Sequence, residues 1–338
     1  MSKLAVIGCG HWGKNLVRNF HALGVLSHVC DAHEATLAAV AAQYEGVTAT
    51  TSYDEILANK EINAVALATN AEHHAWMAEK ALRAGKDVFV EKPLALQFAD
   101  GASMVKTADE TGRVLMVGHL LEYHPAVIKL DEMIRGGELG KINYIYSNRL
   151  NLGKIRREEN ILWSFAPHDI AVILRFLGSQ LPVEVTATGG AYLQKDIADV
   201  TVTNLLFKDG ARAHIFVSWL HPYKEQKLVV IGSEKMALFD DTAPAGEKLM
   251  LYNQGIDWVE GEPVPRKGEA EPVAFETSEP LRAECAHFVE CVETRQNPST
   301  DGRNGLRVLQ VLQACQESLQ TNGQPVSVVS QKAEPATR

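Results

Sequence analysis

In the first third of the chain, short apolar runs alternate with segments whose apolar residues recur every three or four positions. The runs "LAVIG" (Leu4–Gly8), "SHVCD" (Ser27–Asp31), "NAVALAT" (Asn63–Thr69), "DVFVEK" (Asp87–Lys92) and "RVLMVGH" (Arg113–His119) have the length and composition of buried strands. Between them, "GKNLVRNFHAL", "EATLAAVAAQY" and "AEHHAWMAEKALRAG" carry the helical period. Such alternation predicts parallel strands joined by crossover helices. Past Leu120 the pattern changes. One helix, "HPAVIKLDEMIRGG", leads to "KINYIYSNRL", "VEVTATGGAYL", "VTVTNLLF", "ARAHIFVSWL", "QKLVVIGS" and "KMALFDD". Strands in such succession predict a largely antiparallel sheet. Helical segments over 279–293 and 306–320 close the chain. The expected organisation is an α/β protein with a parallel-sheet domain over 1–120 and a second α/β domain over 121–328. Residues 329–338 are expected to be a disordered tail.

Composition changes little in that picture. The 338 residues suffice for two domains, and 46% hydrophobic with 22% charged residues is ordinary for a soluble protein. A net charge of -9 argues against nucleic acid as a partner, because phosphate backbones need a basic face. The five cysteines form no C-x-x-C pair, so neither a disulfide framework nor a metal site is expected. No apolar run approaches the ~20 residues of a membrane span, and "MSKLAVIGCG" runs directly into a strand. The expectation is a cytoplasmic protein with no membrane partner.

The chemistry begins at "VIGCGHWG". Gly8, Gly10 and Gly13 have the G-x-G-x-x-G spacing, directly after a strand and opening a helix. In a Rossmann βαβ unit the first glycine permits the tight turn, the second lets backbone approach a pyrophosphate, and the third allows close helix–strand packing. Asp31 ends the second strand. A carboxylate there accepts from ribose hydroxyls and repels a 2′-phosphate, so NAD is expected rather than NADP. Farther on, "VFVEKPLAL" sets Glu91, Lys92 and Pro93 at the carboxyl end of a strand, where open parallel sheets bind ligands. Lys92 there can hold a substrate hydroxyl and stabilise a developing alkoxide.

"ILWSFAPHDIAVILRFLG" sets Pro167, His168 and Asp169 where an apolar helix is expected to begin, with Pro167 suited to its first position. An imidazole titrates near neutral pH, so His168 is a candidate base. The plainer alternative is a polar first turn.

The glycine-rich unit, "EKP" and "PHDI" together resemble the glucose–fructose oxidoreductase / inositol dehydrogenase / MocA (Gfo/Idh/MocA) family, over essentially the whole chain. The resemblance implies a Rossmann domain followed by an open, largely antiparallel mixed sheet that often joins subunits into homodimers or homotetramers. It implies Lys92 and His168 as the catalytic pair, and often a cis peptide before Pro93. The expected cofactor-binding set is Gly8, Gly10, His11, Trp12, Gly13, Asp31, Thr69, Asn70, His73, Glu91 and Lys92. One position departs from the family. An Asp usually stands four residues before the histidine, and here it is Ser164. A hydroxyl there can orient a sugar but carries no charge.

The segment "NRLNLGKIRREENILW" gathers Arg149, Lys154, Arg156 and Arg157, read as a loop before the candidate base. Arginine forks suit phosphate oxygens; Glu158 and Glu159 offer the alternative of a solvated loop. His119, Tyr123, Arg149, Arg156, Arg157, Ser164 and His168, with Lys92, form the expected substrate-binding set, and Trp219, His221 and Tyr223 are weaker candidates. The phrasing "GHLLEYHPAV…NLGKIRREENILWSFAPHDI" is similar to the family's nucleotide-sugar branch in lipid A and surface-polysaccharide biosynthesis. That similarity implies a UDP-sugar substrate: oxidation of the 3-hydroxyl of UDP-N-acetylglucosamine to its 3-keto form. The alternatives are the corresponding uronate, another sugar or inositol, or a non-catalytic NAD sensor.

Overall fold

Strands buried on both faces need helices on both sides, and the N-terminal runs fold that way. The computed structural model describes residues 3–328. β1 (Leu4–Ile7), α1 (Gly13–Ala22), β2 (Leu26–Cys30), α2 (Glu34–Gln43), β3 (Thr48–Thr50), α3 (Tyr53–Ala58), β4 (Ala64–Leu67), α4 (His74–Arg83), β5 (Asp87–Glu91), α5 (Phe98–Thr111) and β6 (Leu115–Gly118) alternate along the chain. The strands form one parallel sheet in the order β3-β2-β1-β4-β5-β6. β1, β4, β5 and β6 are buried along their whole length. β3 was not legible because it is only three residues and partly exposed. α3 has a single buried residue, Ile56, and is held by Ser52, whose hydroxyl accepts from the Glu55 N–H.

The second part contains α6 (Pro125–Arg135), β7 (Ile142–Leu152), α7 (Ile161–Phe176), β8 (Glu184–Gly190), β9 (Val200–Leu206), β10 (Arg212–Ser218), β11 (Leu220–Gly232), β12 (Met236–Asp240), β13 (Leu249–Tyr252), β14 (Gly255–Val259), β15 (Glu262–Arg266) and β16 (Ala270–Pro272). α8 (Pro280–Thr294), α9 (Gly302–Gln320) and β17 (Val326–Ser327) follow. Nine strands form a sheet in the order β16-β13-β12-β11-β7-β10-β9-β8-β17; β14 and β15 make a separate hairpin. Every pairing in the large sheet is antiparallel except β7 with β10. The alternating burial of β8, β9 and β12 marks one covered face. Both sheets match the expected fold class.

The division into units differs from a single cut near residue 120. Among the described residues, the first compact unit runs to Tyr123 and takes back Ser278–Leu309; the second holds His124–Thr277 and residues 310–328. The reason lies in the first unit's core. Phe288 of α8 packs edge-on against Phe20 and Phe89, with ring centroids 6.3 and 5.7 Å away. The tail expected over 329–338 lies outside the described residues.

Candidate active site

In the first unit, the sheet order reverses between β1 and β4, the switch point at which such sheets bind ligands. The glycine loop follows β1 there. Gly8 adopts φ +86°, and a Cβ on it would lie 2.8 Å from the Ala68 carbonyl oxygen beyond β4. A Cβ on Gly13 would lie 1.8 Å from the Gly8 carbonyl oxygen, so α1 packs onto the loop as only glycine permits. A Cβ on Gly10 would meet nothing within 4 Å, leaving its backbone open to a ligand. The first turn of α1 carries no acidic residue, which suits a phosphate at a helix N-terminus. Asp31 accepts from the Cys9 N–H (2.7 Å) and the His33 N–H (2.9 Å). Its carboxylate therefore braces the glycine loop and retains lone pairs for ribose hydroxyls. These residues fit a dinucleotide.

The "EKP" turn lies on the same sheet. Glu91 ends β5 buried and accepts from the Trp12 indole N–H, joining the turn to the glycine loop. Burial raises the Glu91 pKa to about 7, against the Trp12 hydrogen bond and the Lys92 charge, which lower it. The Lys92–Pro93 peptide is cis, as the resemblance implies. His74, which carried no sequence signal, is buried with Nδ1 2.8 Å from the Pro93 carbonyl oxygen and Nε2 3.1 Å from that of Thr69. It ties the end of β4 to the turn that presents Lys92. His11, Trp12 and Asn70 are exposed and Thr69 is half-buried. His73 is exposed too, and its ring is paired with Glu72 at 3.5 Å.

Two buried groups, Glu91 and His119, lie in the field of Lys92. Burial, then the Lys92 charge, pushes the His119 pKa down to about 3, and neither ring nitrogen has a hydrogen-bond partner among the described residues. Glu284 of α8 is 0% exposed, and both of its carboxylate oxygens also lack one. Burial, then the charges of Glu91 and Glu122, raises its pKa. Tyr123, expected to face substrate, is instead buried, with its hydroxyl 3.2 Å from Ser299 Oγ and 3.0 Å from Thr300 Oγ1. Its polar group is committed inside the first unit.

In the second unit, α7 begins earlier than expected. Its cap is Asn160, whose side chain accepts from the Trp163 N–H (3.2 Å), and Pro167 sits inside the helix. His168 is thus at the end of the second turn, beyond the reach of the terminal dipole. Ser164 is buried four residues before His168, on the same face. Asp169 is 1% exposed, and accepts from Ser147 Oγ (2.7 Å) and from Arg149 Nε (2.9 Å) and a terminal nitrogen (3.0 Å). Arg149 was expected in a substrate loop. It lies on β7 instead, and its fork is spent on Asp169 because a buried carboxylate demands a partner. Burial lowers the Arg149 pKa, but Asp169 outweighs it and the net shift is upward. Lys154, Arg156 and Arg157 remain on the connection after β7, with Arg156 3.4 Å from Glu158 and 3.1 Å from Glu159. Trp219 is fully buried, which removes it from the sugar-lining candidates. No group of three or more potential ligands that could hold a metal exists among the described residues, and no described helix is long and apolar enough to cross a membrane.

Known proteins of the same build carry a similar chain. A model of an oxidoreductase family with an NAD-binding Rossmann fold matches residues 2–119, and a GFO/IDH/MocA C-terminal domain model matches 127–238. UDP-N-acetylglucosamine 3-dehydrogenase of Acidithiobacillus ferrooxidans is 28% identical over 91% of this chain and 94% of its own. Its solved structure superposes with a TM-score of 0.83 at 27% identity, covering 94% of this chain and 97% of that one. Inositol 2-dehydrogenase of Rhizobium meliloti is 26% identical over 94% of this chain and 96% of its own.

Proposed function

Since the chain belongs to the Gfo/Idh/MocA oxidoreductase family, we propose that it is a cytoplasmic dehydrogenase that oxidises the 3-hydroxyl of UDP-N-acetylglucosamine. NAD, when bound, accepts the hydride. Lys92 holds the reacting hydroxyl and stabilises the negative charge that grows on its oxygen. His168 accepts the hydroxyl proton, and Ser164 orients the sugar beside it. Asp31 and the glycine loop hold the dinucleotide. The observation that carries the reading is the Trp12–Glu91 hydrogen bond, which couples the glycine loop to the turn bearing Lys92. The similarity to the Acidithiobacillus ferrooxidans enzyme supports the nucleotide sugar, as does the cationic run Lys154, Arg156 and Arg157. The similarity to an inositol dehydrogenase keeps inositols in the substrate panel. We also propose a homodimer or homotetramer through the large sheet, to be read by light scattering.

The test is a Lys92→Met variant. NADH formation from UDP-N-acetylglucosamine should fall by about 100-fold or more, while NAD binding measured by calorimetry stays near that of the wild type. Wild-type rates in the variant refute the role of Lys92. A wild-type enzyme that forms NADH from inositol but from no UDP-sugar refutes the substrate.

A further inference from the structure

One end of the large sheet collects the second unit's functional segments. Leu150 of β7, Ser218 of β10, Val200 of β9 and Gly190 of β8 are successive register partners across it. From that row leave the connection 153–160, with Lys154, Arg156 and Arg157, and the connection 191–199. The N–H of Ile161, the first residue of α7, donates to the Ala198 carbonyl (3.0 Å), so the helix carrying His168 starts against the second connection.

The 191–199 connection holds an aromatic ring in an unusual way. Tyr192 is 73% exposed. Its backbone is nevertheless held. A Cβ on Gly190 would fall 2.6 Å from Tyr192 Cζ and Oη, so the ring lies across the Gly190 backbone. The N–H groups of Tyr192 and Leu193 both donate to Asp199 Oδ2, at 2.6 and 2.8 Å. The other oxygen of Asp199 accepts from the Trp219 indole at 2.5 Å, and both anchoring residues are fully buried. Gln194 Nε2 donates to the Arg156 carbonyl (2.7 Å), fastening this connection to the cationic one.

We infer that Tyr192 is the stacking platform for the heterocyclic base of a nucleotide-linked substrate, with the neighbouring Lys154, Arg156 and Arg157 facing its diphosphate. This deepens the proposed function and rests on it. A solvent-facing aromatic on a held backbone has few torsions to order on binding a flat π-system, and the bonds to Asp199 set that backbone before the ligand arrives. Phosphate would displace Glu158 and Glu159 from Arg156, an exchange of like-charged partners.

Two variants test it in the full-length protein. Tyr192→Ala removes the ring. Gly190→Ala keeps the ring but drives a methyl into its free end. Each should weaken binding of UDP, measured by calorimetry, roughly 10- to 100-fold, and raise KM for UDP-N-acetylglucosamine more than it lowers kcat. Binding of N-acetylglucosamine 1-phosphate, which has no base, should stay within twofold of the wild type. Tyr192→Trp should restore UDP binding. Unchanged UDP affinity in Tyr192→Ala overturns the platform while leaving the nucleotide-sugar reading intact. A wild-type protein that binds N-acetylglucosamine 1-phosphate as tightly as UDP-N-acetylglucosamine overturns both. Loss of self-association in Tyr192→Ala with UDP binding intact assigns the ring to a subunit contact and likewise overturns the platform.

Discussion

Two fully buried carboxylates, Asp169 and Glu284, are treated in opposite ways. Asp169 on α7 takes a bidentate arginine and a hydroxyl, so its charge is matched inside the second unit. Glu284 on α8 has no hydrogen-bond partner among the described residues and lies in the field of two further carboxylates, Glu91 and Glu122. The first pairs a buried acid with a cation, and in the second burial and like charge favour the neutral acid. Asp169 follows the candidate base His168 in sequence, and Glu284 lies in the field of Glu91, the residue before Lys92.

Removing the partner from the matched acid should have the largest effect. Arg149→Met leaves Asp169 buried with only Ser147, and should cost about 3–5 kcal/mol in denaturant unfolding. The double variant Arg149→Met/Asp169→Leu should recover most of that loss. A single variant as stable as wild type breaks the contrast. The next effect lies at Glu284, where the sign follows from linkage. Its folded pKa is raised, so the native state binds more protons than the unfolded chain and loses stability as pH climbs above the ordinary carboxyl value of 4.5. Glu284→Gln should melt close to wild type at acidic pH. At alkaline pH it should melt higher, by a few °C. Equal melting curves across that range would mean that Glu284 titrates normally. The smallest effect is expected from Trp12→Phe. Losing the indole donor should move the Glu91 carboxyl titration, followed by 13C NMR, upward from about 7, with about 1 kcal/mol lost. A downward shift would show that the indole does not favour the ionised form.

This contrast also separates what could be read from the sequence. The glycine spacing, Asp31 and the "EKP" turn are local patterns, and the parallel sheet follows from apolar runs too short for anything but strands. Partnerships between distant positions are not local. Nothing near Tyr123 announces Thr300, and nothing in "NRLNLGK" says that Arg149 faces Asp169 across twenty residues. Two signals were present but outweighed. Asn160 is a good cap three residues before Trp163, yet Pro167 drew the helix start to itself because proline suits a first turn. Glu284 stands three residues after Leu281 and four before Phe288, both buried, which puts it on the inward face of α8. A charged letter in that stripe was the clue to a buried acid.

The return of Ser278–Leu309 to the first unit has a bearing on biosynthesis. The six-stranded sheet leaves the ribosome early, but Phe288, Cys285 and Leu281 are missing from its core until much later. Until then Phe20 and Phe89 lack the ring of Phe288 that packs against both. A gene fragment ending near residue 120 encodes every glycine of the dinucleotide loop but none of the α8 residues packed into the same core.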